Sequence, residues 1–314
     1  MNKQLTFSRQ VKDELGSVSC DSRCCRNAEI CASFFGAGRF QNRTVILSTA
    51  HFGAAARLGN LIRQQYQTEV KWQTGRELLN LTIDEPTLYQ SICRDIGHLF
   101  GYDPDSGSTS SSKMTHLSDC CQRAILRALF LTCGSISEPS TAYHLELSIR
   151  NSIAAEKASQ LLNLLSIKPG ILKRHGYFVV YIKEGQHIAD FLLLTGAHYS
   201  MMSFESLRVE KEMRNSVNRV VNCDSANTQR IANTAARQLE LIRQIFESNE
   251  IGMLPADLQA AAQARLANPD LSLKELGEMM QPPLGKSGMN HRLKRLEKII
   301  TDLLLKRRNT GHGT

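Results

Sequence analysis

Apolar positions change period several times along the chain, and the changes mark out its elements. In FGAAARLGNLIRQQY (Phe52–Tyr66) and EPTLYQSICRDIGHLF (85–100) they keep the spacing of one helix face. Pro86 stands near the start of the second, where a helix tolerates it. TVILST (Thr44–Thr49) reads as a strand, after a shorter one at residues 39–40. EVKWQ (69–73) and ELLNLTI (77–83) bracket Thr74-Gly75 and read as a hairpin. The order then returns. AYHLELSI (142–149) is a strand and NSIAAEKASQLLNLLSI (151–167) a helix. ILKR (171–174) and YFVVYIK (177–183) flank His175-Gly176, and a further helix begins near Gln186. Between the two sets, GYDPDSGSTSSSK (101–113) has the Ser, Gly and Asp content of a flexible linker. From Phe204 onward the pattern is all-helical. MRNSVNRVVNCDSANTQRIANTAARQLELIRQIFE is expected to hold two helices broken near Cys223-Asp224. Residues 254–305 are expected to hold short helices punctuated by Asn268-Pro269 and Pro282-Pro283, and KRRNTGHGT (306–314) to fray.

Each set opens with the same helix. CCRNAEICASFFGAGRF (24–40) and CCQRAILRALFLTCGSI (120–136) align without a gap. Cys24/Cys120, Cys25/Cys121, Ala28/Ala124, Ala32/Ala128, Phe34/Phe130 and Gly38/Gly134 are identical pairs. The chain thus reads helix–strand–strand–helix–strand–strand–helix, twice: an α+β fold with a pseudo-twofold duplicated αββαββα unit. A twice-written αββαββα unit, opened by a small-residue helix that ends in glycine, resembles the LAGLIDADG homing-endonuclease fold. The motif falls on residues 30–38 and 126–134. The resemblance implies that the two helices pack together, Ala32 and Ala128 permitting their approach, and that the last acid of each motif would hold divalent metal over a DNA phosphate. Those acid positions are Ala37 and Cys133 here. Neither offers the hard oxygen that Mg²⁺ needs, and Glu29 lies more than two helical turns before Gly38. No catalytic residue is therefore expected. The implied pair of sheets would form a DNA saddle, with Arg39, Arg43, Lys71, Arg76, Lys173, Arg174 and Lys183 on or beside its strands. They could neutralise phosphates, or be a solvated basic face or a surface for a protein partner.

The C-terminal stretch SLKELGEMMQPPLGKSGMNHRLKRLEKIITDLL (272–304) carries the strongest signal. Ser272 and Glu275 make an S-x-x-E capping box for a short helix, Pro282-Pro283 end it, and Ser287 is placed to cap the next. In that next helix Met289, Leu293, Leu296, Ile300 and Leu303 form one apolar stripe. Ser287, His291, Lys294, Arg295 and Lys298 fall on the opposite face, with Asn290 and Arg292 at the flanks. This is the format of a helix-turn-helix, whose second helix reads the major groove. Base contact is assigned to Lys286, Ser287, Asn290, His291 and Lys294, since Asn pairs with adenine and Lys with guanine. Phosphate contact is assigned to Arg295, Lys298 and the basic run 306–308, with Ser272 and Lys274 able to hold backbone. Upstream, Asn215, Asn218, Arg219 and Asn222 share one helical face, either a nucleic-acid or interdomain contact or a solvated hinge.

Composition narrows the class. The chain has 314 residues and a formal charge of +8, which favours a polyanionic partner such as double-stranded DNA. No run of 18 apolar residues is present, so no membrane span is expected. Nine cysteines in a chain of this length fit a reducing, cytoplasmic compartment rather than a disulfide framework. Cys20, Cys24, Cys25, Cys120 and Cys121 would approach one another if the opening helices pair, with His116 near. Adjacent Cys-Cys pairs lack C-x₂-C spacing, so buried thiols and no metal or cofactor are expected.

Across nearly its whole length, and most specifically in RNSVNRVVNCDSAN and LKELGEMMQPPLGKSGMNHRLKRLE, the sequence resembles the WhiA family of bacterial DNA-binding proteins. The family combines a degenerate LAGLIDADG-like domain with a C-terminal helix-turn-helix, which matches the missing acids. The resemblance implies a nucleoid-associated transcriptional regulator of cell division and chromosome segregation, or of sporulation in filamentous relatives, with transcription or cell-division proteins as further partners. Expected boundaries are 1–107 for the first repeat with its N-terminal helix and 108–204 for the second. A helical connector would span 205–253 and the helix-turn-helix with its basic tail 254–314. Two other readings stay open: a protein adaptor in which DNA binding is secondary, and a metal-dependent nuclease.

Overall fold

Both repeats form in the computed structural model, which describes residues 6–110 and 114–310 (115 and 307–310 by backbone alone). Helix α1 (Phe7–Ser17) precedes them. The first repeat comprises α2 (Arg23–Ala37), β1 (Arg39–Gln41), β2 (Thr44–Thr49), α3 (Phe52–Tyr66), β3 (Trp72–Thr74), β4 (Leu79–Ile83) and α4 (Pro86–Phe100). The second comprises α5 (Asp119–Cys133), β5 (Gly134–Ile136), β6 (Leu145–Ile149), α6 (Ser152–Leu164), β7 (Gly170–Arg174), β8 (Tyr177–Ile182) and α7 (Gly185–Thr195). Each builds a four-stranded antiparallel sheet, β1-β2-β4-β3 and β5-β6-β8-β7. The period of two decides which face packs: Val45, Leu47 and Thr49 of β2 are buried, and Ile46 between them is exposed.

Helices α2 and α5 lie against each other at the centre. Ala28, Ala32, Ala124 and Ala128 are buried, and Gly36 has no room for more: a Cβ there would stand 2.5 Å from Leu129 Cδ2. The glycines that end the two helices answer to a similar limit. At Gly38 an added Cβ would meet the Phe34 carbonyl oxygen at 2.4 Å, and at Gly134 the Phe130 oxygen at 2.7 Å. Both have negative φ, so it is close backbone approach rather than handedness that excludes a side chain. One apolar core then runs through both repeats and α1.

Inside this core sits a charge. Glu29 of α2 is 1 % exposed and accepts three hydrogen bonds, each of 2.8 Å: from Arg57 Nε and Nη2 of α3, and from Arg127 Nε of α5. The guanidiniums place their other N–H groups on carbonyls. Arg57 Nη1 donates to Gly16 and Val18, and Arg127 Nη1 donates to Thr195 at 2.8 Å. A buried carboxylate is tolerable because charge-assisted bonds fill both of its oxygens.

Two expectations are corrected. Residues 101–110 form an ordered turn, not a flexible linker. Asp103 accepts from Ser106 Oγ at 2.6 Å and from the Asp105 amide at 3.1 Å. Tyr102 bridges Thr109, and the Tyr89 hydroxyl donates to Asp105. Short Asp and Ser side chains close such turns on their own backbone. Residues 111–113 of that stretch lie outside the described residues. Second, the helix expected to break near Cys223-Asp224 is continuous: α8 runs His198–Glu247. It contains neither Pro nor Gly. The weak helix formers at the supposed break cost only about 0.5 kcal/mol each, too little to end it.

Arg214–Thr314 form a second compact unit. In it, Ile242 and Ile245 of α8 meet α9 (Ala256–Ala267), α10 (Leu273–Glu278) and α11 (Lys286–Thr310) in a core of their own. Residues 306–310, expected to fray, continue α11 as helix, and 311–314 lie outside the described residues.

Replacing Glu29 by Gln should destabilise the first unit by roughly 3–5 kcal/mol, because two buried guanidiniums lose their counter-charge. Urea unfolding of the full chain would read this as a lower midpoint of the transition reported by the first unit.

Candidate nucleic-acid interface

Helix α10 starts with the capping box read from the sequence. The Glu275 amide donates to Ser272 Oγ at 3.3 Å, and the Ser272 amide donates to Glu275 Oε2 at 2.8 Å. The Ser272 hydroxyl and then its amide hold the exposed Glu275 carboxyl below its usual range. A turn leads back from α10 to α11. Leu284 N–H donates to Gly277 O at 2.8 Å, and a Cβ on Gly277 would meet the Leu284 oxygen at 2.3 Å, so this turn requires glycine. On α11, Met289, Leu293, Leu296 and Ile300 are buried, and Leu303 is partly buried against the same core.

The predicted reading face is open. Lys286, Ser287, His291, Lys294, Arg295 and Lys298 are exposed, and Asn290 is half-buried. Three placements differ from expectation. Helix α11 begins at Lys286, so Ser287 lies inside its first turn and does not precede it as a cap. Arg292 is half-buried and turned to α9, with Nε 3.9 Å from Asp257 Oδ2. Of the run 306–308, only Lys306 has its side chain described, and it is exposed. Ser272 and Lys274 are exposed; the serine hydroxyl serves the cap, and Lys274 Nζ stands 3.9 Å from Glu278.

Supports that sequence reasoning missed hold this face in place. Glu297 of α11 accepts from Arg237 Nη2 at 2.6 Å and from Gln238 Nε2 at 2.8 Å, both on α8. Arg265, buried at the end of α9, donates to Leu271 O at 2.8 Å and so fixes the loop into α10. Nothing in the type or spacing of these residues announces such roles.

In the first unit, strand register sorts the basic residues. Arg39 pairs with Ile46 and Arg174 with Tyr177, on the sheet faces turned away from the helices. Lys183 reaches the same face, its Nζ 5.0 Å from the Tyr181 ring. Lys173 is one residue from Arg174 and therefore points to the other side, lying 5.5 Å from the Phe178 ring centre. Arg43, in the β1–β2 turn, is exposed, as are Lys71 and Arg76 around β3. Asn215, Asn218, Arg219 and Asn222 are all exposed on α8.

Where α2 and α5 end, a cleft of about 330 Å³ opens between the sheets, lined by Ala37, Cys133, Arg39, Arg150, Asn80 and Tyr177 among others. None of its lining residues carries a carboxylate. Cys133 donates its S–H to Leu129 O at 3.1 Å, and burial pushes its thiol up to about 12. The donors here do not fit the hard divalent ion of the nuclease fold. Arg150, which sequence reasoning missed, stacks 4.9 Å from the Tyr177 ring and leaves the cleft cationic. It follows β6 just outside the strand, where periodicity marks nothing.

Sequence models of the family match two adjoining stretches of the chain. The WhiA LAGLIDADG-like domain matches residues 122–214 and the WhiA C-terminal HTH domain residues 217–300. A probable cell division protein WhiA of Ruminiclostridium cellulolyticum is 38% identical over 306 residues, covering 94% of this chain and 97% of that one. The chain belongs to the WhiA family. A second probable cell division protein WhiA, of Heliobacterium modesticaldum, is likewise 38% identical over 307 residues, covering 94% and 96%. The crystal structure of full-length WhiA from Thermatoga maritima superposes with a TM-score of 0.57 at 28% identity, over 95% of this chain and 98% of that one. Among the described residues, no helix is long and apolar enough to cross a membrane.

One feature of this WhiA-family chain lies at the other end of α2 and α5. The sulfurs of Cys24, Cys25, Cys120 and Cys121 lie within 4.8 Å of one another. Two of the four, Cys24 and Cys120, are exposed, contrary to the expectation of buried thiols. His116 is exposed and outside the group, and Cys20 is half-buried beside it. Burial raises the Cys25 and Cys121 thiols, while the Ser118 hydroxyl, 3.2 Å from its sulfur, lowers Cys120 to about 7. In metal-free reduced protein, iodoacetamide should modify Cys120 first, its rate rising through about pH 7. Ser118→Ala should move that midpoint upward, as peptide mapping across a pH series would measure.

Proposed function

We propose that the protein is a non-catalytic, sequence-reading DNA-binding regulator of transcription acting in bacterial cell division and chromosome segregation, and that it works at the nucleoid. One observation carries the reading. Burial of the Met289–Leu293–Leu296–Ile300 stripe turns Lys286, Ser287, His291, Lys294, Arg295 and Lys298 outward on the second helix of a capped helix-turn-helix. Lys286, Ser287, Asn290, His291 and Lys294 read base edges, and Arg295 and Lys298 hold phosphates. The names of the relatives support the cell-division role. Absence of carboxylate from the cleft at Ala37 and Cys133 supports a role without hydrolysis.

The open sheet faces add a second, weaker surface. Arg39, Arg150, Arg174 and Lys183 contribute charge, and a tethered second contact raises the affinity of the whole chain. Exposed Ile46 and Leu172 lie on those same faces, which favours a protein partner over DNA alone there.

Titration of duplex DNA with the full chain between 50 and 200 mM salt tests this. Lys298→Ala should weaken all duplexes alike and lower the log–log salt slope by about 1. Asn290→Ala and Lys294→Ala should cost about 1–3 kcal/mol on the preferred sequence and far less on random duplex. Unchanged binding in all three variants would remove the helix-turn-helix from the function. Supercoiled plasmid incubated with Mg²⁺ or Mn²⁺ should stay uncut; nicking abolished by a point mutation would restore the nuclease reading.

A further inference from the structure

We propose that Cys24, Cys25, Cys120 and Cys121 form a four-thiolate site for one soft divalent metal ion, zinc foremost, between the first turns of α2 and α5. The geometry is close to what such an ion needs. Zinc–sulfur bonds of about 2.3 Å put the corners of a tetrahedron about 3.8 Å apart. Cys24 and Cys25 sulfurs are 3.9 Å apart, and no pair among the four exceeds 4.8 Å. The widest separation thus exceeds the tetrahedral edge by no more than about 1 Å. A four-iron cubane spreads its cysteines wider, so a single ion fits better.

The surroundings are built for sulfur anions. Each helix supplies its second and third residues, where leading amides point outward and the dipole favours negative charge. Neither N-cap serine, Ser22 or Ser118, spends its hydroxyl on a side-chain cap. That of Ser118 instead stands 3.2 Å from the Cys120 sulfur. Arg123 lines a cleft of about 420 Å³ that reaches Cys25 and Cys120 and gives a way in, with Asp21 and Asp119 on the same walls. Two exposed thiols in a four-sulfur group are not needed to fill a core.

Spacing along the chain counts against this site, because adjacent cysteines lack the two-residue spacer of familiar zinc chelates. Pairing of the two helices supplies what the spacing does not. On binding, four S–H bonds ionise, four zinc–sulfur bonds form, and four protons pass to solvent. No electron moves, and the product carries a formal charge of −2. Such an ion would staple the two repeats at the helix ends opposite Ala37 and Cys133.

The full chain, reduced and stripped with a chelator, would be titrated with Co²⁺ and then with Zn²⁺. One equivalent of cobalt should give a thiolate-to-cobalt charge-transfer band and the visible bands of a tetrahedral ion, and one equivalent of zinc should erase both. Cys24→Ser combined with Cys120→Ser alters only exposed side chains and should weaken binding by more than about 100-fold, beyond the usual effect of losing an outer-shell partner. Cys223→Ser, at an exposed cysteine outside the group, should leave the spectrum unchanged. The proposal is overturned if no sulfur band appears, or if the band survives the double substitution. It is equally overturned if the four cysteines are recovered as disulfides that, once reduced, take up no cobalt. None of these readouts involves DNA.

Discussion

The first unit depends on a carboxylate that water barely reaches. Glu29 links α2 to α3 through Arg57 and to α5 through Arg127, and the same guanidiniums go on to the carbonyls of Gly16, Val18 and Thr195. One side chain thus fixes the chain before α2, both central helices and the end of α7. The cluster also breaks the symmetry of the duplication. Ile125 occupies the place of Glu29 in the second repeat, and Cys31 that of Arg127 in the first. An apolar seam of alanines would accept several slides of one helix along the other. A buried carboxylate with two guanidiniums accepts only the one that pairs all three.

In the second unit the same economy is spread over smaller contacts. Helix α10 is six residues long and cannot stand on propensity alone. It is held by its capping box, by the Leu284 contact over Gly277, and by the buried Arg265 behind it. Glu297 is an acid among cations on α11, and its bonds to Arg237 and Gln238 keep that helix against α8. The outward residues stay exposed because the apolar stripe and these side-chain bonds hold the other side of α11 inward.

Much of this was legible in the sequence where periodicity or capping chemistry is local. Thr44–Thr49, Phe52–Tyr66, the capping box and the α11 stripe are where the pattern places them. The duplication was legible because identical residues recur at a constant offset. What escaped is what distance along the chain conceals. Glu29 meets partners 28 and 98 residues away, and only folding brings them together. Continuity of α8 was missed by giving weak helix formers the authority that only Pro and Gly possess. Lys173 lies on β7 as expected, and the strand period of two puts it and Arg174 on opposite faces of the sheet. Arg150, just beyond a strand end, is a tertiary fact with no local signature, whereas the approach of the four thiols follows from pairing the two repeated helices and only the exposure of Cys24 and Cys120 was not foreseen.

Gly38 and Gly134 separate what a helix end can change from what it cannot. Each is held by a backbone oxygen less than 3 Å from where a side chain would begin, whereas Ala37 and Cys133 beside them line open space. Substitution at the second kind of position leaves the framework standing; at the first it does not. The two glycines therefore mark the repeat more strictly than the residues beside them, and the duplicated framework is best recognised by its closest backbone corners.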